Sequence, residues 1–316
     1  MHVLANIGVK PTENYLTSTL IPFCSDFVLL FMMISAFSMC CGYYERVKSG
    51  TITPNAFYRK RYLRILPFFA FLNFIALAMD RSVDTFQEVY ANLTLAFNLL
   101  QGPHIETIGV GWFLGVIFVF YMLFPFFTFL IDNKRRAWLV LLMTLGLLFI
   151  AFTKLGNPTR TNIVFCMPYF LIGGIIYLYR ARLVSLIERR VWISTALVVV
   201  CMVSLFLFRE EVTSIYVGYS LELLMFAILL TYALKEKNIV LNNPFTRYIS
   251  KISMEIYLCH MVIFRLVEKL HLEQHVANVD VLYVITCIGV IIGAVCFAKC
   301  SRDYLINPLM KRFFPV

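Results

Sequence analysis

Charged residues are scarce in this chain of 316 residues. Lys, Arg, Asp and Glu make up 15% of the sequence, whereas hydrophobic residues make up 60% and the mean hydropathy is +0.80. A soluble globular protein carries about 25% charged residues, because polar side chains have to cover its core. The composition therefore excludes a soluble globule and predicts an integral membrane protein.

The chain also lacks C-x-x-C motifs, low-complexity segments, long linkers and repeats of fixed period. Its nine cysteines lie mostly within apolar stretches, where a thiol behaves as a small apolar side chain. We therefore expect neither disulfides nor a metal site. Because no linker interrupts the sequence, residues 1–316 are predicted to form a single membrane domain.

Nine apolar stretches have the length of a membrane span. About 20 helical residues cross a hydrocarbon core of ~30 Å, so each stretch predicts one transmembrane helix. The stretches are residues 21–43, 63–79, 110–131, 137–153, 163–179, 192–208, 214–233, 252–270 and 280–299. The predicted fold is an all-α, polytopic membrane helix bundle.

The distribution of Lys and Arg predicts the orientation of this bundle. Of the 28 basic residues, 21 fall on alternate loops, six on the other loops and one, Arg265, within a stretch. By the positive-inside rule, the rich loops and the C-terminus are cytoplasmic, and the other loops, among them those around 80–109 and 269–279, face outward. This topology accounts for the net charge of +10, so nucleic-acid binding is not expected.

The N-terminus is predicted to lie outside, because nine spans end in a cytoplasmic C-terminus. Residues 1–9 do not form a cleavable signal and instead look like the outer end of a helix. We therefore expect nine complete spans plus the outer end of a truncated first helix.

Four ionisable residues within apolar sequence are selected as candidates: His2, Asp26, Glu222 and His260. A rise of ~1.5 Å per residue places all but Asp26 on the order of 12 Å from one membrane face. Such a group costs a few kcal/mol in hydrocarbon, so it faces the bundle interior and is a candidate for function. Hydrogen bonding to neighbouring helices is the alternative. Because neutral imidazole accepts protons readily, the two histidines favour acid–base chemistry.

A cluster of cations lies at residues 59–64, at the start of the second stretch. Arg61 and Arg64 are three residues apart and therefore project from one helix face at headgroup level. Two guanidinium groups on one face suit a phosphorylated ligand that arrives from the cytoplasm. Anchoring of the helix by basic side chains is the alternative.

Four segments occur in order along the chain as recognisable motifs. Residues 31–37 look like Phe-Phe-x-x-Ser-Gly-Phe, and residues 61–67 look like Arg-x-x-Arg-Ile-x-Pro. Residues 112–125 contain Trp-x-Leu and then Phe-Tyr-x-x-x-Pro, and residues 249–260 look like Ser-x-x-Ile-Tyr-Leu-x-His. Together the segments resemble the acyltransferase-3 family.

The resemblance implies a ten-helix membrane protein that moves an acyl group, usually acetyl. The donor is cytoplasmic acetyl-CoA, and the acceptor is a hydroxyl of a surface polysaccharide or a lipid-linked glycan. It implies neither a particular acceptor nor an oligomeric state. It also implies that His2 is the catalytic histidine of the first helix, whose partner Arg would precede Met1.

We accordingly expect His2, oriented by Asp26, to act as general base on the acceptor hydroxyl, or to be acylated itself. His260 is expected to position the acceptor or relay its proton. Arg61 and Arg64 are expected to hold the phosphates of acetyl-CoA.

Five further residues are predicted to shape the site. Ser35, Tyr121 and Tyr257 are candidates for stabilising the oxyanion, and Glu222 lies at matching depth. Trp112 is expected to stack on sugar, or alternatively to belong to the aromatic belt of the membrane interface.

Three positions depart from the family pattern. Ala36 replaces a glycine, and Ile117 and Ile306 stand where many members have Glu. The alternatives to an acyltransferase are a glycolipid transporter or flippase, which would use the midplane groups as a proton relay, and an inactive scaffold of the same fold.

Overall fold

The structure is a computed structural model. It describes Val3 and residues 17–18, 21–95, 99, 107–156, 158–208, 215–235 and 241–314, without the side chains of 155 and 205–208. These residues are predominantly helical and contain no strand, so the all-α prediction is confirmed. His2 lies outside the described residues.

Ten helices of at least 12 residues occur in the described part of the chain. They are α1 (Ile21–Met39), α2 (Pro54–Met79), α3 (Val83–Thr94), α4 (Gly111–Leu130), α5 (Lys134–Ile150), α6 (Ile163–Arg189), α7 (Val191–Phe208), α8 (Ile215–Ala233), α9 (Pro244–Glu268) and α10 (Val279–Cys300). Short π-helical segments extend α1, α5 and α10 at Cys40–Tyr44, Ala151–Leu155 and Ser301–Ile306.

Seven helical segments of the described chain are long and apolar enough to cross a membrane. They are Ile21–Lys48, Pro54–Met79, Gly111–Leu130, Lys134–Lys154, Ile163–Arg189, Ile215–Ala233 and Val279–Phe313. Each of them contains or largely overlaps one predicted stretch. Seven of the nine predicted spans are therefore supported by length and composition.

The other two predicted stretches also fold as helices but do not meet the same criteria, so the count of nine spans is not confirmed. In α7, the apolar helix among described residues is the shorter segment Val191–Ser204. In α9, Lys251, Glu255 and Arg265 interrupt the apolar sequence, and one side of the helix is buried within the protein. A helix of this composition is suited to a protein environment rather than to lipid.

Local signals determine where two of the helices begin. At α9, the side chain of Asn243 accepts a hydrogen bond from the Thr246 amide at 3.0 Å, and the Thr246 hydroxyl accepts one from the Asn243 amide at 3.2 Å. This capping box, followed by Pro244, satisfies amides that have no partner within the helix. At α3, the Ser82 hydroxyl caps the Thr85 amide at 3.1 Å.

Packing divides the chain into two compact units. The first comprises Met1–Ile21, Arg59–Gly115 and Asn242–Val316 and contains α3, α9, α10 and most of α2. Within it, α9 and α10 pack side by side, and Gly293 of α10 approaches the side chain of Ile263. A small apolar cluster in this unit consists of the buried residues Val3, Phe264 and Val290.

The second unit comprises Pro22–Tyr58 and Val116–Leu241 and contains most of α1 and α4 together with α5–α8. The rings of Phe120 and Phe170 stack at 4.1 Å. A Cβ atom on Gly173 would lie 2.3 Å from the carbonyl oxygen of Met33 and 3.0 Å from the Cβ of Ala36. Helices α1 and α6 therefore approach each other closely only because residue 173 has no side chain.

Candidate functional site

A buried carboxylate on α9 contacts Arg64, one of the two predicted phosphate-binding arginines. Oε1 of Glu255 lies 3.5 Å from Nη1 of Arg64 and 3.9 Å from Nη1 of Arg302. Arg302 also donates a hydrogen bond to the carbonyl of Lys251. The side chain of Glu255 is 5% exposed, whereas that of Arg64 is 45% exposed. Glu255 is therefore the fixed centre of the cluster, and Arg64 is its accessible edge.

The cluster carries a net positive charge, because the guanidinium groups of Arg64 and Arg302 both contact the single carboxylate of Glu255. Arg61 lies on the same face of α2 as Arg64 and is half-buried. A carboxylate is stable at such depth only when cations or hydrogen-bond donors surround it. The second oxygen of Glu255 is buried and accepts no hydrogen bond from the described residues. The excess of cations leaves the cluster able to bind a polyanion such as a phosphate ester.

Sequence analysis did not single out Glu255 or Arg302. Glu255 is an ionisable residue within the stretch 252–270, so the criterion that selected His260 also applied to it. Arg302 gives no local signal, because only the fold brings it to Glu255.

His260 and Tyr257 lie one helical turn apart on α9. Nδ1 of His260 is hydrogen-bonded to the carbonyl oxygen of Tyr257. Since a carbonyl only accepts, Nδ1 carries the proton, and Nε2 carries the lone pair of the neutral ring. The two rings lie 5.7 Å apart. His260 is thus held in the tautomer whose outer nitrogen can accept a proton.

Aromatic and backbone contacts fix Tyr257 in the first unit. Its hydroxyl donates a hydrogen bond to the carbonyl of Val110 at 3.4 Å, and its ring lies 5.1 Å from that of Phe113. Trp112 is half-buried, with its ring 6.1 Å from Phe113. The structure therefore brings Tyr257 and His260 together and places Trp112 beside the same aromatic group.

A buried pair of amides adds polar groups that sequence analysis missed. Nδ2 of Asn73 donates to the carbonyl of Phe69 at 2.8 Å, so its Oδ1 accepts from Nδ2 of Asn92 at 2.9 Å. These two hydrogen bonds fix the orientation of both amides. Oδ1 of Asn92 has no hydrogen-bond partner among the described residues. Both side chains are fully buried. An amide in the apolar stretch 63–79 was the available sequence signal.

The predicted carboxylates of the second unit have partners within that unit. Oδ1 of Asp26 lies 4.0 Å from Nη1 of Arg160, and Oε1 of Glu222 accepts a hydrogen bond from the Tyr169 hydroxyl at 3.3 Å. These contacts fit the alternative in which such groups hold neighbouring helices together. The proposed contact of Asp26 with His2 stays a prediction.

The remaining candidates lie on α1 and α4 or outside the described residues. Ser35 and Tyr121 are half-buried in the second unit. His2 is not described, but its neighbour Val3 is 8% exposed and packs in the first unit with Phe264. Phe264 follows His260 by one helical turn. All nine cysteines are free thiols, and the described residues contain no group of three or more metal ligands.

The model of the acyltransferase-3 family, described as an acyltransferase domain, matches residues 1–299. This chain belongs to the acyltransferase-3 family. As a member with several membrane-spanning helices, it is a multi-pass membrane acyltransferase. No curated protein and no solved structure shows significant similarity to this acyltransferase-3 protein. Membership agrees with the order of the four motifs and favours acyl transfer over transport.

Proposed function

We propose that this acyltransferase-3 protein moves acetyl from cytoplasmic acetyl-CoA to a hydroxyl of a surface polysaccharide or lipid-linked glycan. The observation that carries the proposal is the cluster of Arg61, Arg64, Arg302 and Glu255 at the predicted cytoplasmic side. We place the protein in the inner membrane with its C-terminus in the cytoplasm, because Lys and Arg concentrate on that side.

Arg64 is the residue best placed to meet the donor. Coenzyme A carries a diphosphate and a 3′-phosphate, and its pantetheine arm is thin and extended. Glu255 holds the Arg64 guanidinium from its buried side, so the exposed side can contact a phosphate oxygen. Arg61 supplies a second guanidinium on the same face. The phosphates stay at the membrane surface while the arm carries the thioester toward the midplane.

His260 or His2 acts as the base. His260 lies five residues beyond Glu255 on α9, about 8 Å further along the helix from the arginine cluster, which is a distance that the pantetheine arm can span. Its Nε2 accepts the proton as the acceptor oxygen attacks the thioester carbonyl carbon. The carbon–sulfur bond then breaks, and the coenzyme A thiolate takes up the proton.

The proposal is tested by NMR of O-acetyl groups on the surface glycans of the host. Cells lacking the gene are compared with cells that express this chain, the Arg64→Gln variant or the Arg59→Gln variant. Arg59 is an exposed cation on α2, about 140° around the helix from Arg64, and serves as a matched control. We expect this chain and Arg59→Gln to restore O-acetylation and Arg64→Gln to restore it poorly. An O-acetyl profile that is the same in cells with and without the gene would refute the proposal.

A further inference from the structure

A polar cavity of about 440 Å³ opens in the first unit beside the C-terminal ends of α2 and α9. Both helix ends face outward in the predicted topology, on the side opposite the arginine cluster. The volume lies within the range of about 300–1,000 Å³ that is usual for small-molecule sites. Nothing in the proposed donor chemistry uses this cavity.

The two walls of the cavity carry opposite charges. The wall formed by α3 and the residues before it presents Asp80, Asp84 and Glu88, and the wall formed by α9 presents Arg265 and Lys269. No ion pair within 4.0 Å joins Asp84 to Lys269 in the described structure. A ligand between the walls would therefore meet hydrogen-bond acceptors on one side and cations on the other.

Internal hydrogen bonds hold the acidic wall in place. Asp80 accepts hydrogen bonds from the Thr85 hydroxyl at 2.6 Å and the Ser82 amide at 3.1 Å. Glu88 accepts from the amide of Thr107 at 2.7 Å. These bonds pre-organise the wall. The carboxylate of Asp84 is exposed and can accept hydrogen bonds from a ligand. Pre-organised acceptors lower the entropy lost on binding.

The polar face of α3 continues below the cavity. Asn92 follows Glu88 by one helical turn, on the same side of α3. It is fully buried, and its Oδ1 accepts no hydrogen bond from the described residues. A Cβ at Gly111 would stand in ordinary van der Waals contact with this oxygen at 3.5 Å and with the ring of Phe69 at 3.4 Å. Asn92 does not line the cavity, so the carboxylates that α3 presents to a ligand are those of Asp84 and Glu88.

We infer that the cavity binds a sugar unit of the acceptor that carries a negatively charged group. The sugar hydroxyls donate to Asp84 and the neighbouring polar side chains, and the anionic group lies against Lys269 and Arg265. The inference rests on the proposed function, because it names the class of acceptor: a uronic acid or a sugar phosphate rather than a neutral glycan.

Binding is measured directly, by saturation-transfer NMR on the full chain in lipid nanodiscs without acetyl-CoA. The probes are glucose, glucuronic acid and glucose 1-phosphate. Arg81→Gln is the matched control, since Arg81 lies in the same outer segment and lines the adjoining apolar groove with Phe74 and Phe86, but does not line the cavity. Unfolding temperatures confirm that each variant is folded.

We expect at least one charged probe to bind more tightly than glucose. Lys269→Gln should weaken that probe about tenfold, to the level of glucose, because it removes a charge-assisted contact. Asp84→Asn should weaken all three probes, and Arg81→Gln should change none. Preference for glucuronic acid would identify a uronic acid, and preference for glucose 1-phosphate would identify a phosphate-linked sugar.

Equal binding of the three probes, or binding that Lys269→Gln leaves unchanged, would overturn the inference. The proposed function is tested separately by acetyl transfer. If transfer occurs and Lys269→Gln leaves the acceptor KM unchanged, the cavity assignment is wrong while the function stands. If the charged probe binds as expected and no acetyl is transferred, the proposed function is wrong while the binding site stands.

Discussion

Oε1 of Glu255 lies 3.5 Å from Nη1 of Arg64, and this contact joins residues 191 positions apart in the chain. It fixes α9 against α2 and orients a guanidinium that reaches the protein surface. Because Arg302 shares the same carboxylate oxygen, loss of Glu255 affects two cations at once. Ligand binding and stability should therefore respond differently to changes at these positions.

Replacing Arg64 by Gln should raise the KM for acetyl-CoA about tenfold, because one charge-assisted hydrogen bond to phosphate is lost. The same change at Arg59 should leave KM within about twofold, which would be a difference of roughly 0.4 kcal/mol. Initial rates in membranes with matched protein levels provide the measurement. Equal KM values for both variants would mean that Arg64 does not bind the donor and only anchors the helix.

Replacing Glu255 by Gln should lower the free energy of unfolding by about 1–3 kcal/mol, because a buried charged acceptor is removed from two guanidinium groups. The KM for acetyl-CoA should not rise, since the site gains net positive charge. Thermal unfolding in detergent and steady-state kinetics measure the two effects. A rise in KM as large as that of Arg64→Gln would mean that both changes act only by disordering α2.

Replacing Gly173 by Ala should destabilise the second unit by about 1–3 kcal/mol. The new Cβ would meet the backbone carbonyl of Met33 at 2.3 Å, and backbone cannot rotate away as a side chain can. Gly146→Ala in α5 is the control, because no atom lies within 4 Å of its Cβ position. Unfolding temperatures should fall for the first variant and hold or rise for the second.

Hydrogen bonds from the Thr85 hydroxyl and the Ser82 amide hold the pKa of Asp80 below its usual range. A lowered pKa in the folded state stabilises the protein above the ordinary pKa of ~3.9, and this contribution is lost as the pH falls through the folded value. Amide exchange in α3 should be slower in this chain than in Asp80→Asn between about pH 5 and 7, and the difference should shrink as the pH falls below the ordinary pKa of ~3.9. A difference that persists in acid would rule out the carboxylate as its source.

The sequence was sufficient to locate the nine helices of the apolar stretches, but not α3, which lies in the predicted loop around 80–109, nor all of the helix ends. Hydropathy marks the part of a helix in hydrocarbon, so the second predicted stretch began at residue 63, whereas α2 begins at Pro54 and carries the cations on an extra segment of helix. Likewise, the eighth stretch began at 252, although the capping box at Asn243 starts α9 earlier. Both extensions are polar, so a search for apolar stretches does not detect them.

The candidate site was only partly predictable for a related reason. The shared face of Arg61 and Arg64 follows from helical spacing alone. The contacts of Arg64 with Glu255 and of Asn73 with Asn92 join different helices, and helical periodicity contains no information on such pairs. Polar residues within apolar stretches are the usable signal, and an amide such as Asn73 gives it as clearly as a histidine or a carboxylate does.

The most direct test of the central claim is transfer of radiolabelled acetyl in inverted membrane vesicles, whose cytoplasmic face is accessible to added acetyl-CoA. Vesicles with this chain should incorporate base-labile label into glycan or glycolipid. At donor concentrations well below KM, vesicles with Arg64→Gln should incorporate about tenfold less. Label no greater than in vesicles without the chain, with the folded protein present in the membrane, would contradict the account.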